Sequence, residues 1–501
     1  MKKFIVVVVI VLLLAVAPWG IGILAEKRVN RGLDQLIETA PYLAIVDRKF
    51  NRGWFTSEQE VTFEAFGPWM RALNSKQQSP QAEQSSQDSQ ELPPKDEAAA
   101  GAPDAASAPE AAGATTPEAP AALASNPLKF TVHNHITHGP VLWFTGVGVA
   151  RVDSAIVLPD NVRAELTKLF GDEPPVAVST RVRFFGGGTT TIAGKAQDVK
   201  FDGKNTSLSY DAFKFKVGYS AHLDDVDVDG NWPRLEFKDS ANGGSALMKG
   251  ASVDGTTHRV RGDLYGGKFK VSIDQMQIVG ADKELTEIAG LHYGGATSAD
   301  DDFMDIALQM GSGAVKSKAL DQFGVALKEV HYDFTVRRLH LATMEKMLAA
   351  MKASYTRPLT SAADVDAAMT KPMKEFGLEL LKHNPELGLD RIGVSTPAGD
   401  AYIKGIVKLI GVTEQDLDAG AAGMAAKIDA DITIEIAQKL AEKVPNGATA
   451  VGGAIDQGYA KRDGDRIVSH IEFRKGVLKI NGKEQGIPGL GGPPQQPSPQ
   501  E

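Results

Sequence analysis

Asp225-Val226-Asp227-Val228-Asp229-Gly230, followed by Glu236, is the stretch of this chain that most resembles a site for chemistry. Alternating carboxylates, a turn glycine and a distal bidentate glutamate are how a calcium loop surrounds a hard cation. That loop needs a helix on each side. Here residues 213–219 and 235–237 alternate like strands, and Pro233 falls inside the loop. The competing expectation is a strand with Val226 and Val228 inward, the aspartates outward and a turn at Asp229-Gly230. A second cluster is His133, His135 and His138. On a strand the first two project from one face, which suits zinc or copper, while His138 points the other way. A metal would need a further ligand from another strand, and the sequence names none. The plainer expectation is a solvated strand face, with His138 ending the strand before a Gly139-Pro140 turn.

The remaining motifs are weaker. Gly186-Gly187-Gly188 lacks the Lys-Ser/Thr of a phosphate loop and reads as a turn or bulge. There is no Gly-x-Ser-x-Gly elbow and no His-Glu-x-x-His, and nothing orders Ser, His and Asp into a triad. Arg52 beside Trp54 and Phe55 is a candidate functional residue. Alternatively, Gly53 permits a tight turn and both aromatics enter the core, which is the favoured expectation. Met344, Met347 and Met351 at helical spacing fit a helix core better than a binding surface. No catalytic, cofactor-binding or metal-ligating residue is assigned on these grounds, and the chain is expected not to be an enzyme.

Composition narrows the setting. The 501 residues carry 54 Lys and Arg against 63 Asp and Glu, for a net charge of -9 and a sequence pI near 5.7. A nucleic-acid binder would carry a concentrated basic face, so no nucleic-acid partner is expected. With no cysteine, disulfides, thiolate catalysis and Cys-ligated metal sites are excluded. Hydrophobic residues at 43% can fill a sizeable core.

Residues 4–25 hold no charge, are dense in Val, Ile and Leu, and follow Lys2 and Lys3. Roughly 22 residues at 1.5 Å each span a bilayer core, and the two lysines hold the amino end in the cytoplasm. A secretory signal peptide is the rival, because Ala15-Val16-Ala17 resembles a cleavage site. Pro18 disfavours the cut, and the apolar run continues past it. Residues 1–25 are therefore expected to be a retained transmembrane signal anchor. In 26–40, Val29, Leu33, Leu36 and Ile37 form one helical stripe that Pro41 ends. Residues 58–66 alternate, with Val61 and Phe63 on one side of a strand. Residues 74–126 and the tail 485–501 are Pro-rich, polar and poor in large apolar side chains, and both are expected to be disordered.

Residues 127–483 are dense in alternation. Phe130 pairs in phase with Val132, Phe213 with Phe215 and Val217, and Phe269, Val271 and Ile273 precede Met276 and Ile278. Asp202-Gly203, Asp229-Gly230, Asp254-Gly255 and Asn481-Gly482 punctuate the runs as hairpin turns do. Helical spacing returns at 339–354 and 361–383, and 431–443 turns from strand to helix. The fold class expected is α+β and β-dominated. A transmembrane helix precedes one elongated, mainly antiparallel β body over 26–484, with several packed helices.

Five islands carry a family resemblance. They are the anchor, Arg52-Gly53-Trp54-Phe55-Thr56-Ser57, His138-Gly139-Pro140, Asn384-Pro385 with the strand through Ile403 and Val407, and Gly476-Val477-Leu478-Lys479-Ile480-Asn481-Gly482-Lys483. In this order they resemble the YdgA-like family of bacterial membrane-anchored envelope proteins, which carry a domain of unknown function. The resemblance implies an inner-membrane anchor, a periplasmic body and self-association, and it implies no catalytic residues. It also implies that 74–126 is an insertion, since the family's equivalent connection is short.

Two function classes follow. The favoured one is a non-catalytic envelope protein, a scaffold or a binder of lipid or other apolar cargo, because long alternating strands on a curved sheet enclose an apolar groove. The other is an envelope hydrolase with a site assembled from distant strands. As an expanded loop inside one domain, 74–126 is dispensable. Loop closure costs only about 0.6 kcal/mol per doubling of length. Replacing the stretch with a short Gly-Asn connection is expected to leave the thermal midpoint unchanged or slightly raised; a large drop would show that the stretch supports the fold.

Overall fold

Alternating side chains dominate the chain, and nearly every strand they form pairs with its neighbour in sequence. The computed structural model describes residues 2–486 apart from 75–127, 141, 143–145, 159, 172–173, 202–204, 240 and 323, with backbone alone at 2–19, 161 and 165. Helix α1 (Lys2–Thr39) leads into β1 (Leu43–Arg52), β2 (Thr56–Ala65) and α2 (Gly67–Asn74). Next come β3 (Leu128–His138), β4 (Ala150–Val157), α3 (Asp160–Phe170), β5 (Ala177–Val182) and β6 (Gly188–Gly194). The short strands β7 (Gln197–Phe201), β8 (Thr206–Tyr210) and β9 (Phe213–Tyr219) precede four long ones. These are β10 (Asp225–Asp239), β11 (Gly244–Arg261), β12 (Leu264–Val279) and β13 (Leu285–Ala299). Then follow β14 (Phe303–Ser312), β15 (Val315–Lys316), α4 (Lys318–Gln322) and β16 (Glu329–His340). β16 runs directly into the helical pair α5 (Leu341–Thr356) and α6 (Ala362–Lys382). After them lie β17 (Glu386–Thr396), β18 (Gly399–Leu409), α7 (Glu414–Asp418), α8 (Gly420–Ala425) and β19 (Ile428–Ala437). The last elements are α9 (Gln438–Lys443), α10 (Gly447–Asp456), β20 (Lys461–Asp463), β21 (Arg466–Arg474), β22 (Val477–Ile480) and β23 (Lys483–Gln485).

The strands form one antiparallel sheet, so the chain is β-dominated with several helices. The ladder climbs from β1 to β6, crosses to β9 and β10, and continues through β14, β16, β17, β18 and β19 to β21. The stretch 74–126 and the tail lie, apart from their first residues, outside the described residues. Their flanks are clear. β2 and β3 pair directly, Val61 opposite Val132 and Phe63 opposite Phe130, with the two rings stacked at 5.3 Å.

Cross-strand partners share a face of a sheet, so the register sorts the side chains. One row runs Ile192–Phe215–Gly230–Val253–Val271–Tyr293–Met310–Tyr332–Ile392–Ile403–Ile434, one residue per strand. The opposite face carries Lys216, Asp229, Asp254, Lys270, Gln309, Asp333 and Arg391 in register. The sheet thus has an apolar inner face and a charged outer one, as antiparallel sheets with one solvated side do.

Keeping that separation along strands of 15 or more residues needs a correction for bending. Pro233, Gly250, Asp274 and Gly290 lie opposite one another across β10 to β13, and the apolar phase shifts by one residue on each strand there. On β12 the shift is visible as Ile273 followed by Met276. Gly250 and Gly290 sit at φ +65° and +59°, which glycine adopts without strain. Two expected turns are corrected by this geometry. Asp229-Gly230 and Asp254-Gly255 are strand interiors. Gly230 accepts the Phe215 ring, which a Cβ would meet at 2.1 Å, and Gly255 lies against Phe269. Asn481-Gly482 is a turn between β22 and β23, as its type requires.

Helix α1 is unbroken, and its middle turns lie on the inner face of β3 to β5. Ala25 and Val29 are buried with Ile136, Val149, Val152 and Val182, and Ile21 and Leu24 pack against them. Ile21, Leu24 and Ala25, inside the span expected to be anchor, thus pack on the sheet. Among the described residues no helix is long and apolar enough to cross a membrane, and 4–19, the bulk of the expected anchor, lie outside the residues whose side chains are described.

Helix α5 closes one rim. Leu341 is buried with Leu264 and Met304, and Met344 and Leu348 pack on them. Arg261 and Asp263 at the β11–β12 turn pair with Glu345 and Lys352 at 2.8 and 2.7 Å. Tyr355, at the far end of α5, stacks on Trp69 at 4.9 Å and meets Tyr42 and Phe66 edge-on. One helix thus touches both the middle of the ladder and its first strands, so the sheet curls. Helix α6 starts from a Ser361–Asp364 capping box. Hydrogen bonds from Thr360, then Ser361, hold the Asp364 carboxyl at about 2.

At the start of α5 the rings of His340 and His383 stack at 3.7 Å, beside Phe303. Burial, then the neighbouring His383, pushes His340 below its ordinary range; Arg261 adds to this, while Asp302 and Glu379 oppose it. A histidine depressed in the folded state binds fewer protons there than in the unfolded chain. Its stabilising contribution is full above its unfolded value of about 6.5 and is lost as pH falls below it. The thermal-midpoint advantage of wild type over His340→Gln is expected to shrink between pH 7.5 and 5. A gap that stays constant or widens over that range would refute the assignment.

Candidate functional site

The residues with the sharpest motif do not form a site. Asp225, Asp227 and Asp229 alternate along β10 on the outer face, facing His258, Thr256 and Asp254. Asp225 and Asp229 are separated by roughly 13 Å at strand rise. Glu236 lies further along the same strand, held by Arg234 and Lys238. A continuous strand cannot bring these carboxylates to one cation. His133 and His135 share the outer face, as the alternation predicts. The partner that the sequence did not name is Glu58 on β2, 3.3 Å from His133 Nε2 and 2.6 Å from His135 Nδ1. Among the described residues no group of three or more His, Asp or Glu is arranged to hold a metal ion.

His138 points inward, and its surroundings explain two of the sequence islands. Its Nε2 lies 2.8 Å from Ser57 Oγ, and its Nδ1 lies 3.2 Å from the Trp54 carbonyl oxygen. Only an N–H can face a carbonyl, so the proton sits on Nδ1 and Nε2 accepts from the Ser57 hydroxyl. Gly22 of α1 lies over the ring, where a Cβ would stand 2.6 Å from Cε1. The His138 and Gly139 amides bond to the Phe55 and Val149 carbonyls at 2.8 Å each. This is a hydroxyl–imidazole pair assembled from residues 81 apart. Its burial, 2% exposure for Ser57 and 4% for His138, leaves a substrate no approach. The pair clasps α1, the β1–β2 hairpin and the β3–β4 connection together. A second polar chain runs beside it, from Asn30 through Gln59 and Asn134 to Ser154 at 2.9, 3.0 and 2.7 Å.

The β1–β2 turn corrects one expectation. Gly53 donates to the Thr56 carbonyl in a tight turn, but Trp54 and Phe55 are exposed. Arg52 pairs with Glu26 of α1 at 3.4 Å. The Gly186-Gly187-Gly188 stretch is the β5–β6 turn, and its tip carries Phe185, 94% exposed. Both turns and the β3–β4 connection, where Val147 is exposed, lie at the rim beside the middle of α1. The Met344 stripe is half-buried in the α5 core, as its spacing predicts.

Two features remain that could hold a ligand. Beneath α1 is a cleft of about 370 Å³ between Val29, Leu33 and Leu36 on the helix and Val152, Val182 and Tyr219 on the sheet. This falls within the roughly 300–1,000 Å³ of ligand clefts. Burial raises the Tyr219 hydroxyl above its usual range. Downstream, the inner apolar row continues largely uncovered: Val271, Tyr293, Met310 and Tyr332 are 39, 45, 46 and 46% exposed. At about 4.8 Å per strand, the eleven strands of the row span roughly 50 Å. The alternation that built these strands, and an apolar groove along them, were expected from sequence; which residues stay half-exposed was not.

A family model described as "Bacterial protein of unknown function (DUF945)" matches residues 1–487. No curated protein and no solved structure matches the chain.

The clasp separates a structural from a chemical role for Ser57. Ser57→Ala leaves a buried imidazole nitrogen without its donor, a loss of about 1–3 kcal/mol. Urea unfolding is expected to show that loss. Unchanged stability together with a lost esterase activity would instead mark Ser57 as a nucleophile.

Proposed function

We propose that this chain, which belongs to the DUF945 family of bacterial proteins of unknown function, is a membrane-anchored, non-catalytic carrier of lipid chains with its body on the periplasmic side of the inner membrane. One observation carries the reading: the inner sheet face is apolar in register from β6 to β19 and half-exposed through its middle. Contiguous exposed apolar surface on this scale marks a binding surface. Glycines flatten its floor. The adjoining row runs Gly255–Phe269–Gly295–Leu308–Phe334–Leu389–Gly405–Ile432, and the Phe269 ring lies over Gly295. A long apolar trough suits an extended acyl chain better than a compact ligand.

The rim supports the membrane side of the reading. Trp54, Phe55, Val147 and Phe185 stand exposed around the middle of α1, on the side from which its apolar residues 4–19 extend. Aromatic side chains at such a level are the usual partners of a bilayer interface. Lys2 and Lys3 before the run support a cytoplasmic amino end.

Full-length chain extracted from membranes in mild detergent is expected to retain phospholipid or fatty acid, identified by mass spectrometry. Met310→Lys combined with Tyr332→Glu, at half-exposed positions, is expected to lower the retained lipid severalfold with little change in thermal midpoint. Equal lipid in variant and wild type would remove the inner face as the carrier surface.

A further inference from the structure

The cleft beneath α1 is chemically unlike the apolar face it opens onto. Arg28 and Arg31 line it, and among the described residues no Asp or Glu does. Arg28 lies against the β5–β6 turn. Its Nη2 donates to the Phe184 carbonyl at 3.3 Å, while its Nε is buried with no hydrogen-bond partner among the described residues. A buried guanidinium N–H without an acceptor is costly, and a cation facing no carboxylate leaves its charge uncompensated. Elsewhere the fold supplies such acceptors. Arg52 on the neighbouring hairpin has Glu26, and Arg48 has Asp34, both on α1 itself. Apart from the two arginines, the cleft walls are apolar or carry neutral polar groups, the amides of Gln35 and Asn134 and hydroxyls that include Thr180, Thr190 and Tyr219 on the sheet side. Those hydroxyls are in register with the apolar rows: Thr190 faces Val217, which faces Val228. The cleft is therefore the cationic head of a track whose body is hydrocarbon.

We infer that the cleft receives the oxyanion head of an anionic amphiphile, a carboxylate or phosphate held by Arg28, while its acyl chain runs onto the inner face of the sheet. Charge complementarity selects the head, since arginine's planar fork pairs with both oxyanions in two-pronged fashion. The apolar continuation selects an amphiphile over a free anion. The inference rests on the carrier reading for the chain and adds the class of cargo.

The test uses full-length protein in nanodiscs of zwitterionic lipid and three photoreactive probes: palmitate, hexadecanol and lysophosphatidate analogues, each with a diazirine in the chain. Labelling is mapped by mass spectrometry. The two acids are expected to label the inner face next to the cleft, where the chain lies, roughly tenfold or more above the alcohol, the loss of one charge-assisted hydrogen bond. Arg28→Gln is expected to bring the acids down to the alcohol's level without altering the alcohol, and Arg28→Lys to keep part of the preference. Excess inorganic phosphate is expected not to compete. Equal labelling by acid and alcohol, or an Arg28→Gln variant that keeps the preference, overturns the head assignment and leaves the carrier reading standing. Competition by inorganic phosphate at concentrations comparable to the amphiphile's overturns the amphiphile. Absence of labelling by all three probes overturns both.

Discussion

The position of α1 depends on one buried imidazole. His138 cannot be hydrated where it lies, so both ring nitrogens must find partners within the fold. Ser57 and the Trp54 carbonyl supply them, and both belong to the start of β2 and the turn before it. The ring then presents a flat face that only a glycine can approach, and Gly22 does. That contact fixes the rotation of the helix. One to two turns on from Gly22, Ala25 and Val29 fall onto Val149 and Val152, and Arg28 falls beside the β5–β6 turn. A larger residue at 22 would lift the helix from the sheet and open both the core and the cleft. Polar groups thus set the geometry here, and apolar packing completes it.

Much of the fold was written in local pattern. The alternation at Phe213, Phe215 and Val217, and at Phe269, Val271 and Ile273, became strands because a half-buried sheet imposes a period of two. The break between Ile273 and Met276 is where the strand changes phase. One extra residue was needed to keep large side chains inward across the corner, and β10, β11 and β13 make the same adjustment. Helical spacing over 361–383 became α6, whose first turn the Ser361–Asp364 capping box closes. The Asp-Gly pairs at 229 and 254 misled, because glycine serves two needs. It permits turns, and it also makes room for an aromatic ring on the adjacent strand, which is its use at Gly230 and Gly255.

The candidate sites were far less legible. Ser57 and His138 are 81 residues apart, and no spacing rule links them. Glu58 pairs with His133 and His135 only because β2 and β3 align in one particular register. Arg28 looked like an ordinary helical cation, and nothing in residues 26–40 says that the sheet offers it no carboxylate. Trp54 and Phe55 were expected inside because large aromatics usually are. Their exposure follows from the turn. The Gly53–Thr56 contact reverses the chain at the rim, so residues between them project past the sheet edge. Pairing across the sheet decides each of these cases, and pairing is a property of the whole ladder.

An uncovered apolar face is a hazard for any β protein, since it invites association with other chains. Two features of this sheet limit it. The outer face carries Lys216, Asp229, Asp254 and Lys270 in one row, so stacking of one sheet on another places charge against hydrocarbon. Curling, secured by α5 reaching from Leu264 to Trp69, turns the apolar face inward and narrows access to it. A thin flexible chain can enter such a trough, whereas a second flat sheet cannot lie down in it. The same curl that suppresses sheet-on-sheet contact therefore favours extended hydrocarbon. At the α1 end the inner face also carries Gln59, Asn134 and Ser154, which Asn30 of the helix and one another satisfy, so the helix that covers this part of the sheet also completes its polar pairing.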